Sequence, residues 1–260
     1  MPTHRLPSLR HTLTALALLA IALPAEAWDA CRYSADRRAS LDATGATRVV
    51  INARAGDLEV RPTSAATVVA QGKACVSRES YLPQTDVTVR REGSTVRVDV
   101  RVPDQMAGIG IFYATLDLVV DLPASLPVEI TDSSGDLTAR DVRVVKVTDS
   151  SGDIVLHRPR SDVEVRDSSG DVRVEGAAGR VQVRDSSGDI VIVGAGDVVI
   201  PVDSSGDITI ERVAGSVRIE QDSSGDIRVA DVGRDFALLG DSSGKVRVSG
   251  VKGETRLPGD

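Results

Sequence analysis

Aliphatic and polar residues alternate with a period of two along most of this chain, a pattern typical of β-strands whose two faces lie in different environments. The alternation is most regular from residue 128 onward, where each stretch of 17–19 residues contains two aliphatic-x-aliphatic runs separated by turns. Residues 48–127 show no convincing period of 3.6, so helices are not expected there. The pattern predicts an all-β protein built from short, similar units.

The pentapeptide Asp-Ser-Ser-Gly-Asp separates these units. It first starts at Asp132, and its last, altered copy is Asp241-Ser242-Ser243-Gly244-Lys245. The copies between them start at Asp149, Asp167, Asp185, Asp203 and Asp222. The steps between copies are 17, 18, 18, 18, 19 and 19 residues, and so regular a period is the signature of a stacked repeat architecture.

Each unit supplies aliphatic side chains that we expect to face a common core. For the first run these are Leu137, Ala139, Ile154, Leu156, Val172, Val174, Ile190, Ile192, Ile208, Ile210, Ile227, Val229, Val246 and Val248. For the second run they are Val145, Val147, Val163, Val165, Val181, Val183, Val217, Ile219, Phe236 and Leu238. A further aliphatic residue at Val142, Val213, Val232 and Val251 predicts a third short side. Intervening residues, Ile200 among them, are expected to face outward.

A single unit buries too little apolar surface to offset the backbone entropy lost on folding, so the units must stack. Stacking at about 4.8 Å adds hydrogen bonds above and below each strand. Parallel strands joined by crossovers are overwhelmingly right-handed, and the hexapeptide rhythm of left-handed helices is absent. We therefore predict a right-handed, single-stranded parallel β-helix (β-solenoid) with about 18 residues per coil over residues 128–260.

Residues 28–127 are predicted to form an irregular β-rich region that includes one or more degenerate coils. Residues 49–60 match residues 181–192 in the positions of their aliphatic residues and of Gly-Asp. The corner in this first copy is Ala53-Arg54-Ala55-Gly56-Asp57, so only Gly-Asp is retained. Residues 91–94 resemble a hairpin turn.

The first 27 residues have the features of a secretory signal peptide. Arg5 and Arg10 precede an apolar run from Thr12 to Leu23, and Ala25-Glu26-Ala27 fits a cleavage site. The apolar run is too short for a transmembrane helix. We expect export, with a mature start at Trp28 and a periplasmic, cell-surface or secreted location.

Cys31 and Cys75 are the two cysteines of the chain. An oxidising compartment favours a disulfide between them, and two buried free thiols are the alternative.

Several of these features together resemble the bacterial putative-adhesin family of β-strand-repeat cell-envelope proteins, a domain of unknown function. They are the N-terminal signal, the Gly-Asp-aliphatic-x-Val coil, Asp-Leu-Val-Val-Asp-Leu-Pro at residues 117–123 and the serial Ser-Gly-Asp-Ile copies. The resemblance covers roughly residues 45–250. It implies a β-helix in a cell-envelope setting and supplies no catalytic residues.

Charge and composition restrict the partners. The formal net charge is −7 and aromatic residues make up 2% of the chain, so neither a basic patch nor base-stacking platforms are expected. We expect no nucleic acid partner and no membrane span after signal cleavage, and an envelope protein or polysaccharide of unknown identity as the partner. The N-terminal region should cover one end of the stack, and Lys245 and Pro258 should blunt the other, which predicts a monomer.

The repeated corners have two chemical interpretations. In the first, they are turns in which Gly takes a positive φ and the first Asp and the serines bond to nearby backbone. In the second, the stacked carboxylates bind calcium, a hard cation that prefers oxygen ligands, and the protein is a cation-dependent envelope module. The candidate calcium ligands are Asp149, Asp153, Asp167, Asp171, Asp185, Asp189, Asp203 and Asp207. No other metal and no cofactor is expected.

Catalysis is not expected. His157 is the one histidine of the expected mature chain, and no nucleophile is recognisably placed beside it. Coils of 17–19 residues also leave no room for the long loops that form the clefts of polysaccharide-cleaving β-helices. The sequence therefore predicts an exported, non-enzymatic, structural or adhesin-like β-solenoid.

Overall fold

The computed structural model describes residues 31–103 and 112–259, so the predicted signal peptide lies outside the described residues. The described residues form two 11-stranded sheets and one 3₁₀ helix, Glu79–Gln84. Sheet A contains β1 (Tyr33–Asp42), β3 (Leu58–Thr63), β4 (Thr67–Val76), β7 (Ala114–Pro123), β9 (Leu137–Arg140), β11 (Ile154–His157), β13 (Val172–Glu175), β15 (Ile190–Ala195), β17 (Ile208–Val213), β19 (Ile227–Val232) and β21 (Val246–Val251). Sheet B contains β2 (Arg48–Asn52), β5 (Asp86–Glu92), β6 (Thr95–Arg101), β8 (Pro127–Thr131), β10 (Arg143–Thr148), β12 (Val163–Arg166), β14 (Val181–Arg184), β16 (Val198–Val202), β18 (Val217–Ile219), β20 (Phe236–Leu238) and β22 (Thr255–Arg256).

From β8 onward the chain alternates between the two sheets, and each coil pairs in parallel with the coils on either side. In sheet A, for example, Ile190 pairs with Val172 on one side and with Ile208 on the other. This topology confirms the predicted parallel β-solenoid. The right-handed sense of the coil stays a prediction.

The aliphatic residues of the coils face each other between the two sheets and form one continuous core. Ile154, Ile190 and Ile208 are fully buried, as are most of the residues expected to point inward. Val246 and Val248 differ and are half-buried, because β21 is the edge strand of sheet A and has a neighbouring strand on one side only.

Two predicted orientations in sheet B are wrong by one residue. Val144 rather than Val145 is buried beside Val147, because the pairing of β10 with β8 shifts register between Val144 and Lys146. Ile200, expected outside, is fully buried because β16 carries one extra residue before its corner and its pairing with β14 shifts register there. Both errors arise from bulges, which move side chains to the opposite face.

The predicted third side is an extension of sheet A rather than a separate sheet. Val213 and Val232 are buried and Val251 is half-buried at the ends of β17, β19 and β21, and each pairs with its counterpart in the next coil. Val142 is buried as well.

The coil predicted to begin near residue 49 is formed by β2 and β3, which stack on β8 and β9. On its other face lies a coil made of β6 and β7, which comes later in the chain. Strands β1, β4 and β5 then add in antiparallel fashion beyond that coil. The predicted hairpin at residues 91–94 joins β5 to β6. The spatial order of these coils therefore departs from their order in the sequence.

Two groups fasten β1 at this end of the stack. A disulfide joins Cys31 to Cys75 in β4 across a Cα–Cα distance of 5.2 Å, which confirms the predicted bridge. The guanidinium of Arg37 donates hydrogen bonds to the carbonyl oxygens of Leu82 (2.6 Å) and Thr85 (2.8 Å). These bonds hold β1 against the segment that leads into β5.

The coils turn again after each sheet A strand or within it, and this second corner requires a left-handed residue. In successive coils the residues with positive φ at this corner are Asp141, Arg158, Gly176, Gly194, Arg212, Asp231 and Gly250, with φ between 48° and 79°. Residues with a β-carbon are disfavoured in this conformation. The non-glycine residues at this corner are therefore sites of local strain.

Replacing Arg212 by glycine should raise the free energy of unfolding by about 0.5–1 kcal/mol, since glycine adopts φ 57° without a steric penalty. The exposed Arg212–Glu211 ion pair that is lost contributes little. Urea denaturation measures the change. Arg228→Gly, at the second residue of β19, is the matched control and should lower stability; a similar loss in both variants would contradict the strain argument.

Candidate functional site

The Asp-Ser-Ser-Gly corners connect each sheet B strand to the following sheet A strand and stack directly on one another. From Gly152 to Gly225, the backbone N–H of the corner glycine donates to the carbonyl of the second serine in the next coil, for example Gly188 to Ser205 at 3.1 Å. The corners thus form a continuous ridge along the solenoid, with four residue columns that have different environments.

The glycine column brings neighbouring backbones into close contact. Gly188 has φ 138°, and a β-carbon built on it would lie 1.9 Å from the carbonyl oxygen of Gly170. The same approach recurs from Gly135 to Gly244. Both the torsion angle and the contact exclude any other residue, which confirms that glycine adopts the predicted positive φ at these corners.

The second serine of each corner links adjacent coils through its side chain. The hydroxyl of Ser187 donates to the carbonyl oxygen of Ser168 at 3.2 Å, and that of Ser205 donates to the carbonyl oxygen of Ser186 at 3.2 Å. Equivalent bonds of 3.1–3.2 Å run from Ser151 to Ser243. The serines therefore satisfy corner carbonyl groups that no strand partner reaches.

The second aspartate of each corner, which we call the outer column, is exposed and forms an unbroken ladder with the backbone. Oδ1 of Asp189 accepts the backbone N–H of Asp207 at 2.8 Å, and the ladder ends where Lys245 donates to Asp226 at 3.0 Å. The other bonds are 2.8–3.1 Å long, and their acceptors are Asp117, Asp57, Asp136, Asp153, Asp171 and Asp207. Each carboxylate therefore satisfies an amide of the next coil.

The first aspartates of the first six corners, which we call the inner column, point into the protein, whereas Asp241 in the last corner is half-buried. The members of the inner column are between 0% and 6% exposed: Asp132, Asp149, Asp167, Asp185, Asp203 and Asp222. In the first four, Oδ1 accepts the backbone N–H of the following serine at 2.7 Å, as the turn interpretation predicted. Oδ2 of these four residues, and both oxygens of Asp203 and Asp222, are buried without a hydrogen-bond partner in the structure.

Burial raises the pKa values of the inner column. Desolvation is the largest cause, and it brings the pKa of Asp132 and Asp203 to about 7 and that of Asp149 and Asp185 to about 6. It also raises the pKa of Asp167 and Asp222. Neighbouring aspartates add to the effect, whereas hydrogen bonds from the serine N–H groups oppose it.

The structure separates the candidate calcium ligands into these two columns. Asp149, Asp167, Asp185 and Asp203 are buried, whereas Asp153, Asp171, Asp189 and Asp207 are exposed and bonded to backbone amides. Within residues 31–103 and 112–259 no group of three or more His, Cys, Asp or Glu side chains is placed to hold a metal ion. Calcium binding at the corners stays a prediction.

His157 lies at the end of β11 and is half-buried, and its Nδ1 is 3.1 Å from Oε2 of Glu175. It borders a shallow depression of about 540 Å³ that is also lined by Arg173 and Glu211. A second depression, of about 480 Å³, contains the outer-column residues Asp57 and Asp136. Both are open surfaces on the outer face of sheet A.

The sequence did not lead us to predict that the first aspartates are buried, although one residue of the chain indicates it. Ala53 takes the place of Asp185 when the first coil is aligned with a later one, and Ala53 is 6% exposed. An apolar residue at this place is typical of an inward position. It also shows that the corner folds with a methyl group there.

A family model described as Toastrack DUF4097 matches residues 34–211, which is more than half of the chain. No curated protein matches the chain in sequence. Among solved structures, a "putative cell adhesion protein" from Clostridium sporogenes ATCC 15579 is 10% identical with a TM-score of 0.38, over 86% of this chain and 100% of that one. A "putative lipid binding protein" from Parabacteroides distasonis ATCC 8503 is 12% identical with a TM-score of 0.42, over 85% and 96% of the two chains. A "putative adhesin" from Bacteroides fragilis NCTC 9343 is 13% identical with a TM-score of 0.41, over 87% and 98%.

Gly188→Ala should lower the free energy of unfolding by roughly 3 kcal/mol or more, because its β-carbon meets the Gly170 carbonyl oxygen and its φ is unfavourable. Gly93→Ala is the matched control: its φ is 60°, but no atom lies within 4 Å of the added carbon. Thermal and urea unfolding should show a much smaller loss for the control. Equal losses would mean that backbone contact is not the determining constraint.

Asp189→Ala should lower the free energy of unfolding by about 1 kcal/mol, since the amide of Asp207 loses its intramolecular acceptor. Asp189→Asn keeps a carbonyl oxygen as the acceptor and should lose less than half as much. Urea denaturation of the two variants compares them directly. A larger loss in the asparagine variant would show that the negative charge, rather than the ladder bond, is required.

Proposed function

The chain belongs to the Toastrack DUF4097 family, as the resemblance of its coils predicted. We propose that it is an exported, non-enzymatic β-solenoid that acts as a structural or adhesive element of the bacterial cell envelope. The observation that carries this proposal is that the corner side chains with the chemistry for catalysis are already hydrogen-bonded to the protein's own backbone. The outer aspartates and the second serines bond to backbone groups of adjacent coils.

Two features support export. Residues 1–27 have the sequence features of a signal peptide, and Cys31 and Cys75 form a disulfide, which persists in oxidising compartments such as the periplasm. In the described part of the chain no helix is both long and apolar enough to cross a membrane.

An adhesive or structural role is supported by the broad outer faces of the two sheets. Eleven strands at about 4.8 Å spacing give each sheet a length of roughly 48 Å along the stack. The outer faces carry mixed charges, for example Arg173 beside Glu175 on sheet A and Arg218 beside Glu220 on sheet B. A surface of this kind suits contact with an extended polar partner, such as an envelope protein or a polysaccharide.

Expression of the full-length chain with a C-terminal tag tests export. We expect the tagged protein in the periplasmic or extracellular fraction, with Trp28 at its N-terminus by mass spectrometry and with Cys31 protected from thiol alkylation. Recovery in the cytoplasm with the leader attached and both thiols reactive would overturn the proposed location.

Co-sedimentation of the purified mature chain with isolated cell-envelope fragments tests the adhesive role. We expect saturable binding that is reduced by reversing an exposed charge on one outer face, with Arg228→Glu on sheet A compared with Arg218→Glu on sheet B. Absence of saturable binding, with the fold intact by circular dichroism, would argue against an adhesive function.

A further inference from the structure

The inner column is a row of six buried carboxyl groups at the corners of the solenoid, and the fold provides hydrogen bonds for only some of their oxygens. At least one oxygen of every member is buried and without a partner in the structure. Asp203 and Asp222 are 1% and 0% exposed. Backbone N–H groups of the following serines lie near enough to lower their pKa, but neither carboxyl oxygen of these two residues makes a hydrogen bond of normal geometry with another protein group. Because a buried carboxylate needs a hydrogen bond or a counter-ion, these oxygens point to a ligand.

The strongest electrostatic influences on this column come from other aspartates and not from cations. They are the column's own members and further aspartates: Asp57, Asp136, Asp153, Asp171, Asp207 and Asp241. Arg166 and Arg184 precede Asp167 and Asp185, but both arginine side chains are exposed, and Arg166 pairs with Glu164. Six adjacent ionised carboxylates would therefore be both desolvated and mutually repelling.

The register of the coils places each member beside the next. Asp222 forms parallel bridges with Asp203 on one side and Asp241 on the other. Strands in register are about 4.8 Å apart, and the two oxygens of a carboxyl group are separated by roughly 2.2 Å. When the two oxygens of a carboxyl group lie along the stack, about 2.6 Å separates the nearest oxygens of successive members, which is a normal O–H···O distance. A single proton between two members would serve both.

We propose that the inner column is a proton-binding site: at mildly acidic pH its aspartates hold protons inside the solenoid and share them through O–H···O hydrogen bonds between successive coils. A neutral acid removes the charge, and its O–H supplies the missing donor for the adjacent oxygen. Protons need no space, whereas a hydrated cation would require a cavity beside the column.

The direction of the pH dependence follows from this arrangement. In the unfolded chain an aspartate has a pKa near 3.9, whereas burial raises the pKa of Asp203 to about 7 and that of Asp185 to about 6. Between these values the folded protein holds more protons than the unfolded chain. The stabilising contribution of the column is thus complete below about pH 4 and is lost as the pH rises through about 6 to 7.

The position does not require an aspartate in order to fold, because the first coil has the buried Ala53 there. The turn hydrogen bond accounts for Oδ1 of the first aspartate, but it does not explain why a second, unpartnered oxygen is buried at each of these corners. The buried Ala53 also means that neutral replacements should be tolerated.

Proton release on unfolding is the first test. Calorimetric unfolding of the mature protein at pH 6, compared between buffers of different ionisation enthalpy, should show a net release of protons. Asp203→Asn should release about one proton fewer and should be stabilised relative to the wild type at pH 8. Asp189→Asn, which changes an outer-column residue that is not among the charges acting most strongly on the inner column, should leave the number of released protons unchanged.

Infrared spectroscopy of the folded wild-type protein provides a second test that requires no variant. At pH 6, where exposed carboxyl groups are ionised, the C=O band of protonated carboxylic acid should be present and should disappear above pH 8. Absence of that band, or no net release of protons on unfolding at pH 6, overturns the proposal. Loss of stability in a calcium chelator, with no protonated band, would instead assign the column to a metal ion.

Discussion

The close approach of corner backbones at the glycine column is the constraint on which the other features of this solenoid depend. A β-carbon at Gly188 or Gly206 would lie 1.9 Å from the carbonyl oxygen of the preceding corner glycine. This contact fixes successive corners in register. The serine and outer-column hydrogen bonds can then repeat from coil to coil with lengths that vary little, and the aliphatic residues that follow each corner enter the core at equivalent positions.

The same register also places aspartates of successive coils directly beside one another, and their negative charges repel. The two columns resolve this in different ways. Asp189 and the other outer aspartates stay in solvent, where repulsion is screened, and each accepts a backbone N–H. Asp185 and the other inner aspartates are desolvated, so their energy depends on protonation. Corners of one sequence thus produce a structural ladder outside and a titrating column inside.

The repeat period and the alternation of aliphatic residues were sufficient to predict the solenoid, the glycine conformation and most of the core. Three features required knowledge of tertiary structure. The bulges that orient Val144 and Ile200 inward each add one residue to a strand without changing the character of the sequence. The coil of β6 and β7 comes later in the sequence than β2 and β3 but stacks on the side of them that faces away from the regular coils. The repeat period alone cannot reveal this order. The inner aspartates resemble ordinary turn residues, and Ala53 was the one sign that this position faces inward.

Protonation of the inner column would also change how the surface of the solenoid meets its surroundings. The formal net charge of −7 counts every aspartate as ionised, so each proton held by the column makes it less negative by one, and full protonation of the six members at mildly acidic pH would bring it to −1. An envelope surface rich in anionic groups repels a strongly acidic protein over about 8–10 Å at physiological ionic strength, and a nearly neutral one much less. The inner column lies beneath the outer one at each corner. Its protons therefore make the electrostatic potential of the whole ridge less negative, while every outer carboxylate keeps its hydrogen bond to a backbone N–H.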